Sequence, residues 1–163
     1  MKLNSILFIL FLFVVSISTL KANSVVKKVR LPLPELLQAV KPIEKFALNI
    51  GHGKSDVYVF LDPICPNSQN FLEMISSMQM LQKKYSYHIF LYELKRFDSL
   101  STIERIYESS NVLQSIKTVM IEKKTLPKSA LTVEVKEKIS AIAQVAKKID
   151  VYKRPYLIIN KKR

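Results

Sequence analysis

Val57-Tyr-Val-Phe-Leu61 is an unbroken run of five apolar strand formers, and it stops at Asp62-Pro63. A continuous run of that kind fits a strand buried on both faces, at the centre of a sheet. From Pro66 the spacing changes. Phe71, Ile75, Met78 and Leu81 recur at intervals of four, three and three, which places them on one helical face. A buried strand that feeds directly into a helix constrains the chain to an α/β layer arrangement.

The remaining elements extend that pattern. Leu33–Val40 predicts two helical turns, with Pro34 in the first turn and Pro42 ending them. Lys45–Ile50 reads as a strand, and Gly51-His-Gly53 as a turn that uses both glycines of the chain. Lys83-Lys84 closes the helix that begins at Pro66, and Tyr87–Leu94 is a third strand. Ser101-Thr-Ile-Glu104 has the spacing of a capping box. It opens a helical region striped by Ile103, Ile106, Tyr107, Leu113, Ile116 and Met120. A further helix begins near Thr132 and carries Val135, Ile139, Ile142, Ala146 and Ile149. Tyr156–Ile159 is the last strand, reached through Arg154-Pro155.

The first residues differ in kind. Lys2 is followed by the almost wholly apolar Ile6–Leu20 and then by Lys21-Ala22. This is the layout of a secretory signal peptide with cleavage after Ala22. Leu20 is a poor residue for the −3 position, which leaves an uncleaved membrane anchor as the alternative. The fifteen-residue run is shorter than the roughly 20 residues a spanning helix needs. The organisation read from sequence is therefore a signal peptide at 1–22, a lead segment at 23–44 and one domain at 45–163. Export would place that domain in an oxidising compartment. The formal net charge is +13, and the lysines are scattered rather than gathered in a block. With export, this reads as a solvated lysine-rich surface and argues against nucleic acid as a partner.

Cys65, the only cysteine of 163 residues, lies between the central strand and Pro66. Proline is accommodated at the first helical position, where its missing N–H would have had no partner. Cys65 is then the N-cap. Free backbone N–H groups and the positive end of the helix dipole there favour a thiolate, the attacking species in disulfide exchange. The plain alternative is a buried, inert cysteine packed as a small apolar residue.

Asp62-Pro-Ile-Cys-Pro-Asn-Ser68, after its apolar strand, resembles the active-site segment of bacterial periplasmic disulfide isomerases of the DsbC/DsbG type. The segments Ala47–Lys54 and Ile142–Asn160 resemble the family's preceding hairpin and its last helix, loop and strand. The resemblance spans about residues 45–160. It implies a thioredoxin-like fold with a helical insertion between the third strand and the strand that follows a cis-proline. It implies Cys65 as nucleophile and Pro155 as the cis-proline beside it, where with Pro66 it would hold a client's extended backbone. Pro155 is otherwise an ordinary proline leading into a strand.

The chain departs from the family at three places. Ser68 stands where a resolving cysteine is expected. It either hydrogen-bonds the Cys65 thiolate or merely caps the helix or faces water. A one-cysteine site can attack a disulfide, but its release needs a thiol from the client, from glutathione or from a reducing partner. Arg154 stands where the family usually has threonine. It either favours the thiolate by charge and binds a carboxylate such as one of glutathione's, or faces solvent. Last, the C-terminal edge strand of the family is expected to be missing, and so is its dimerisation domain, which makes a monomer the default.

The function expected is one-thiol exchange on protein or glutathione disulfides in the periplasm, with no metal or other cofactor. The rival is a non-catalytic, partner-binding protein on the same fold. A third reading is a basic membrane-surface protein tethered to the inner membrane by an uncleaved N-terminus. His52 and His88 show no metal spacing with Cys65. Pairing of His88 with Cys65 as a nucleophile would need the fold to bring them together. Asp62 is read as stabilising the turn before Pro63. Met74, Met78 and Met80 are read as core or rim contacts.

Overall fold

The computed structural model describes residues 31–161. The signal-peptide reading lies outside them. The elements, in order, are α1 (Leu33–Val40), a 3₁₀ turn (Lys41–Phe46), β1 (Leu48–Ile50), β2 (Ser55–Leu61), α2 (Pro66–Ser77), α3 (Gln79–Lys84) and β3 (Tyr85–Leu91). A short 3₁₀ turn (Lys95–Phe97) leads to α4 (Leu100–Glu108), α5 (Val112–Met120), α6 (Val133–Lys148) and β4 (Tyr156–Asn160).

The four strands lie in the order β1-β3-β2-β4. β2 runs parallel to β3 and antiparallel to β4, and β1 runs antiparallel to β3. The apolar run places β2 inside as expected: Val57, Tyr58, Val59, Phe60 and Leu61 are all buried. Phe60 and Phe90 sit at one register position with ring centroids 5.2 Å apart, and Tyr156 meets Phe60 edge-on at 6.4 Å.

Both faces of the sheet are covered. Tyr87 shares a register position and a face with Val57, and Phe71 of α2 meets Tyr87 edge-on at 6.1 Å, so α2 covers that face. On the other face the Tyr58 hydroxyl donates to Glu44 Oε1 at 2.6 Å, bringing the Lys41–Phe46 turn over it. Residues 33–46 thus join the domain's core, with Val40 and Ile43 buried. In the insertion α5 packs on α2, and α4 packs on both α5 and α6. These helices cap the end of the sheet, where the Leu91 N–H donates to the buried Tyr107 hydroxyl at 3.0 Å.

Burial holds the Tyr107 phenol protonated well above the ordinary tyrosine range, against the Leu91 N–H, which favours the phenolate. The unfolded chain ionises this phenol from pH about 10 upward, while the folded chain resists. Its contribution is therefore complete below pH about 10 and is lost progressively above it, as pH rises towards and through the raised folded value. Tyr107→Phe should cost about 1–2 kcal/mol near neutrality by leaving the Leu91 N–H unpaired. It should also flatten the alkaline decline in stability, measured by urea titration between pH 8 and 11.

Four elements differ from the sequence reading, and one is the third strand, which lies at Tyr85–Leu91 rather than 87–94. The expected strand 45–50 is reduced to Leu48–Ile50, because Lys41–Phe46 coils into the 3₁₀ turn. The expected helix from Pro66 to Lys84 breaks at Met78, whose backbone is extended at φ −95° and ψ 94°. Gln82 stabilises the break by donating its Nε2 to the carbonyls of Ile75 and Ser76 at 2.8 and 3.0 Å. Met74, Met78 and Met80 are 40, 43 and 69% exposed, at the rim rather than in the core. The capping box at Ser101 does not form, since α4 starts two residues earlier with Ser99 as N-cap.

The two glycines are explained by the hairpin. Gly51 has φ +82°, a left-handed value. A Cβ on Gly53 would lie 2.0 Å from the carbonyl carbon of Lys84.

Candidate functional site

The site forms where β2, β3 and the loop before β4 end together. Cys65 is the N-cap of α2, and Pro66 follows at the first helical position. The Cys65 N–H donates to Asp62 O at 3.2 Å, and its carbonyl accepts from the Gln69 N–H at 3.0 Å. The turn before the helix is thus closed by backbone. The sulfur is not at the surface, as Cys65 is 1% exposed. Its side chain accepts no capping bond from the helix N–H groups.

Asp62 organises the loop around it. Its carboxylate is fully buried. Oδ1 accepts from the Ile64 N–H at 2.9 Å, a local Asx turn. Oδ2 accepts from the Leu94 N–H and from the Ser99 hydroxyl, the latter at 2.8 Å. This explains why Ser99 gives α4 no side-chain cap: its hydroxyl is engaged by Asp62. Glu93 Oε1 takes over by accepting the Leu100 N–H at 3.2 Å. The turn-stabilising role read for Asp62 is present, and the carboxylate also joins the cysteine loop to the start of the insertion.

Ser68 is fully buried, and its Oγ accepts the Asp62 N–H at 3.2 Å. It does not face water. The Arg154–Pro155 peptide bond is cis. Arg154 does not face solvent either, being 5% exposed. Its Nε donates to Tyr92 O, its Nη1 to Val151 O and Lys153 O, and its Nη2 to Glu93 O, at 2.9–3.2 Å. These bonds use four of the five guanidinium N–H groups. The group stacks on Tyr92 at 4.3 Å from the ring centroid. Burial pulls its pKa down to about 10, opposed by the nearby Tyr92, Asp62 and Cys65. Arg154 Nη2 donates to the carbonyl of Glu93 and Asp62 accepts from the N–H of the next residue, Leu94, so both distant sequence motifs are anchored to one short segment after β3. Pro155 is half-buried and Pro66 exposed.

His88 is elsewhere. It stacks on Tyr58 at 4.9 Å, and its ring nitrogens meet Asn49 Oδ1 and Asp56 Oδ1 at 2.9 and 3.2 Å. His52 sits in the Gly51–Gly53 turn, its N–H bonded to Gln82 O. Gln69, Lys123 and Arg105, which line a cleft next to the cysteine loop, were not legible in the sequence. They come together only through the packing of α2 against the insertion.

No protein-family model matches the chain, and no curated protein sequence does. Solved structures do match. ScsC of Proteus mirabilis, in a transitional conformation, superposes with a TM-score of 0.61 at 17% identity, over 98% of this chain and 81% of that one. A disulfide interchange protein from Neisseria gonorrhoeae gives 0.56 at 17% identity, over 70% and 79%. A periplasmic thioredoxin-like protein from Salmonella enterica serovar Typhimurium gives 0.52 at 18% identity, over 78% and 85%. The fold is thioredoxin-like, of mixed α/β class, and resembles that of periplasmic disulfide isomerases.

Proposed function

We propose that this chain is a periplasmic protein that exchanges disulfides through the single thiol of Cys65. The observation that carries the reading is Cys65 as a helix N-cap in a loop that Asp62 ties to the Leu94 N–H, beside the Glu93 carbonyl that Arg154 of the cis Arg154–Pro155 bond holds. The similarity to a disulfide interchange protein and to a periplasmic thioredoxin-like protein supports it, as does the signal-like segment at residues 1–22.

In this reading the Cys65 thiolate attacks one sulfur of a client disulfide. A bond forms between Cys65 and that sulfur, the client's own S–S bond breaks, and the second client sulfur leaves as a thiolate. With Ser68 in the resolving position, a second thiol from the client, or an external one such as glutathione, attacks the mixed disulfide and returns Cys65 as thiolate. When the second thiol belongs to the client there is no net oxidation, and the outcome is isomerisation. In this reading Pro155 and Pro66 take the client's backbone. Arg154 is a positioning residue that holds the cis-proline loop to Tyr92 and Glu93. The domain works as a monomer and is membrane-tethered only if its N-terminal segment is retained. Because Cys65 is buried at rest, the Pro63–Cys65 segment must swing outward before attack.

The experiment is acid-quenched trapping with a scrambled-disulfide client. The expected result is a disulfide-linked adduct that Cys65→Ser abolishes. Ser68→Cys should shorten the adduct's lifetime at least tenfold by supplying an internal resolving thiol. The burial of Cys65 favours a second reading, a non-catalytic partner-binding domain. If no adduct forms and alkylation of Cys65 proceeds only at the rate of global unfolding, the second reading stands.

A further inference from the structure

Beside the cysteine loop lies a cleft of about 180 Å³, bordered by Ile64, Gln69, Thr102, Arg105, Lys123 and Lys124. Three of these side chains are cationic, and no acidic residue lines the cleft. Lys124 pairs with the exposed Glu122 carboxylate at 2.9 Å. Arg105 spends one Nη1 bond, at 3.3 Å, on Leu126 O.

Lys123 is held in an unusual way. Its φ of +59° is left-handed, a position just past the end of α5 where glycine is the usual occupant. A lysine there accepts backbone strain, and its side chain is what the position gains. The ammonium folds back to donate to Met120 O and Gln69 Oε1, each at 2.5 Å. Gln69 in turn donates its Nε2 to Pro63 O at 2.8 Å. A cleft cation is thereby linked through Gln69 to Pro63, two residues before Cys65.

We infer that this cleft binds the carboxylate of a small thiol or its disulfide, a peptide-sized molecule of the glutathione class. The inference rests on the exchange function proposed above and names the source of its second thiol. Arginine and lysine donors suit a carboxylate. The cleft falls below the roughly 300–1,000 Å³ of drug-sized sites, which fits the end of a short peptide better than a folded acidic partner. An anion that draws the Lys123 ammonium away frees Gln69 Oε1 and loosens the side chain whose Nε2 anchors the Pro63 carbonyl.

The test uses S-methylglutathione, which carries the carboxylates but no thiol, so binding does not depend on exchange. Calorimetric titration of the full chain, and of its Cys65→Ser variant, should show saturable binding. The paired substitution Arg105→Gln with Lys123→Gln should weaken it at least tenfold. Lys123→Gln alone, at an exposed position, should give an intermediate loss if the pair folds poorly. Lys136→Gln, on the exposed face of α6, should bind as the parent does. Loss of binding at 0.5 M salt would support the charge-based site. Absence of saturable binding, parent-like affinity in the Lys123→Gln protein, or equal affinity for an acidic peptide of ten residues would overturn it. If Cys65 exchanges client disulfides yet S-methylglutathione does not bind, the cleft assignment alone fails. If binding occurs without adduct formation, the exchange reading alone fails.

Discussion

Asp62→Ala should be among the most damaging single changes in the domain, lowering stability by about 3–5 kcal/mol. The carboxylate is fully buried and accepts from the Ile64 N–H, the Leu94 N–H and the Ser99 hydroxyl. Alanine leaves all three donors dry and unpaired. For a domain of this size the loss corresponds to a fall of roughly 10–20 °C in Tm. Asp62→Asn is the informative companion. Its carbonyl can still serve the Ile64 N–H, but its NH₂ would face two donors, so about half the loss should remain. Scanning calorimetry of the three proteins reads this directly. A shift below 3 °C for Asp62→Ala would show that water replaces the carboxylate.

Arg154→Met should follow, at about 2–4 kcal/mol, because four carbonyls lose their donor in a site with little solvent. With a urea m-value of about 1–3 kcal/mol/M, the unfolding midpoint should move down by roughly 1–2 M. Arg154→Lys should recover little of this. It keeps a charge, but a compact ammonium cannot reach carbonyls on both sides of the loop or stack on Tyr92 as the planar group does. An Arg154→Lys protein with the parent's midpoint would mean that charge, not the fork, is what the loop requires.

Much of this fold was legible in the sequence because it depends on local pattern. The apolar run 57–61 marks the central strand without help from elsewhere. Thr132 caps α6, its hydroxyl accepting the Val135 N–H at 3.3 Å, as a threonine ahead of an apolar stripe predicts. Cys65 before Pro66 likewise fixes the start of α2. What was not legible depends on partners far along the chain. The stripe Phe71–Leu81 continues through Met78, and the break becomes visible only with Gln82 turned back onto the carbonyls ahead of it. Ser101 with Glu104 has the spacing of a cap, yet Ser99 takes the N-cap position, and its hydroxyl is bound by Asp62, 37 residues before it. The solvent reading of Arg154 failed for the same reason: its acceptors at Tyr92 and Glu93 lie some sixty residues upstream. Burial of the sulfur is likewise a product of the assembled site and leaves no mark in the local Cys-Pro spacing.

The enclosure of Cys65 has a kinetic consequence. If the sulfur reacts only after its loop departs, the observed rate is the intrinsic rate multiplied by the fraction of molecules standing open. Turnover would then rise with mild denaturant or warming far more steeply than sulfur chemistry alone allows. Substitutions that loosen the loop would accelerate reaction while weakening the fold, so that speed and robustness are traded at a single carboxylate.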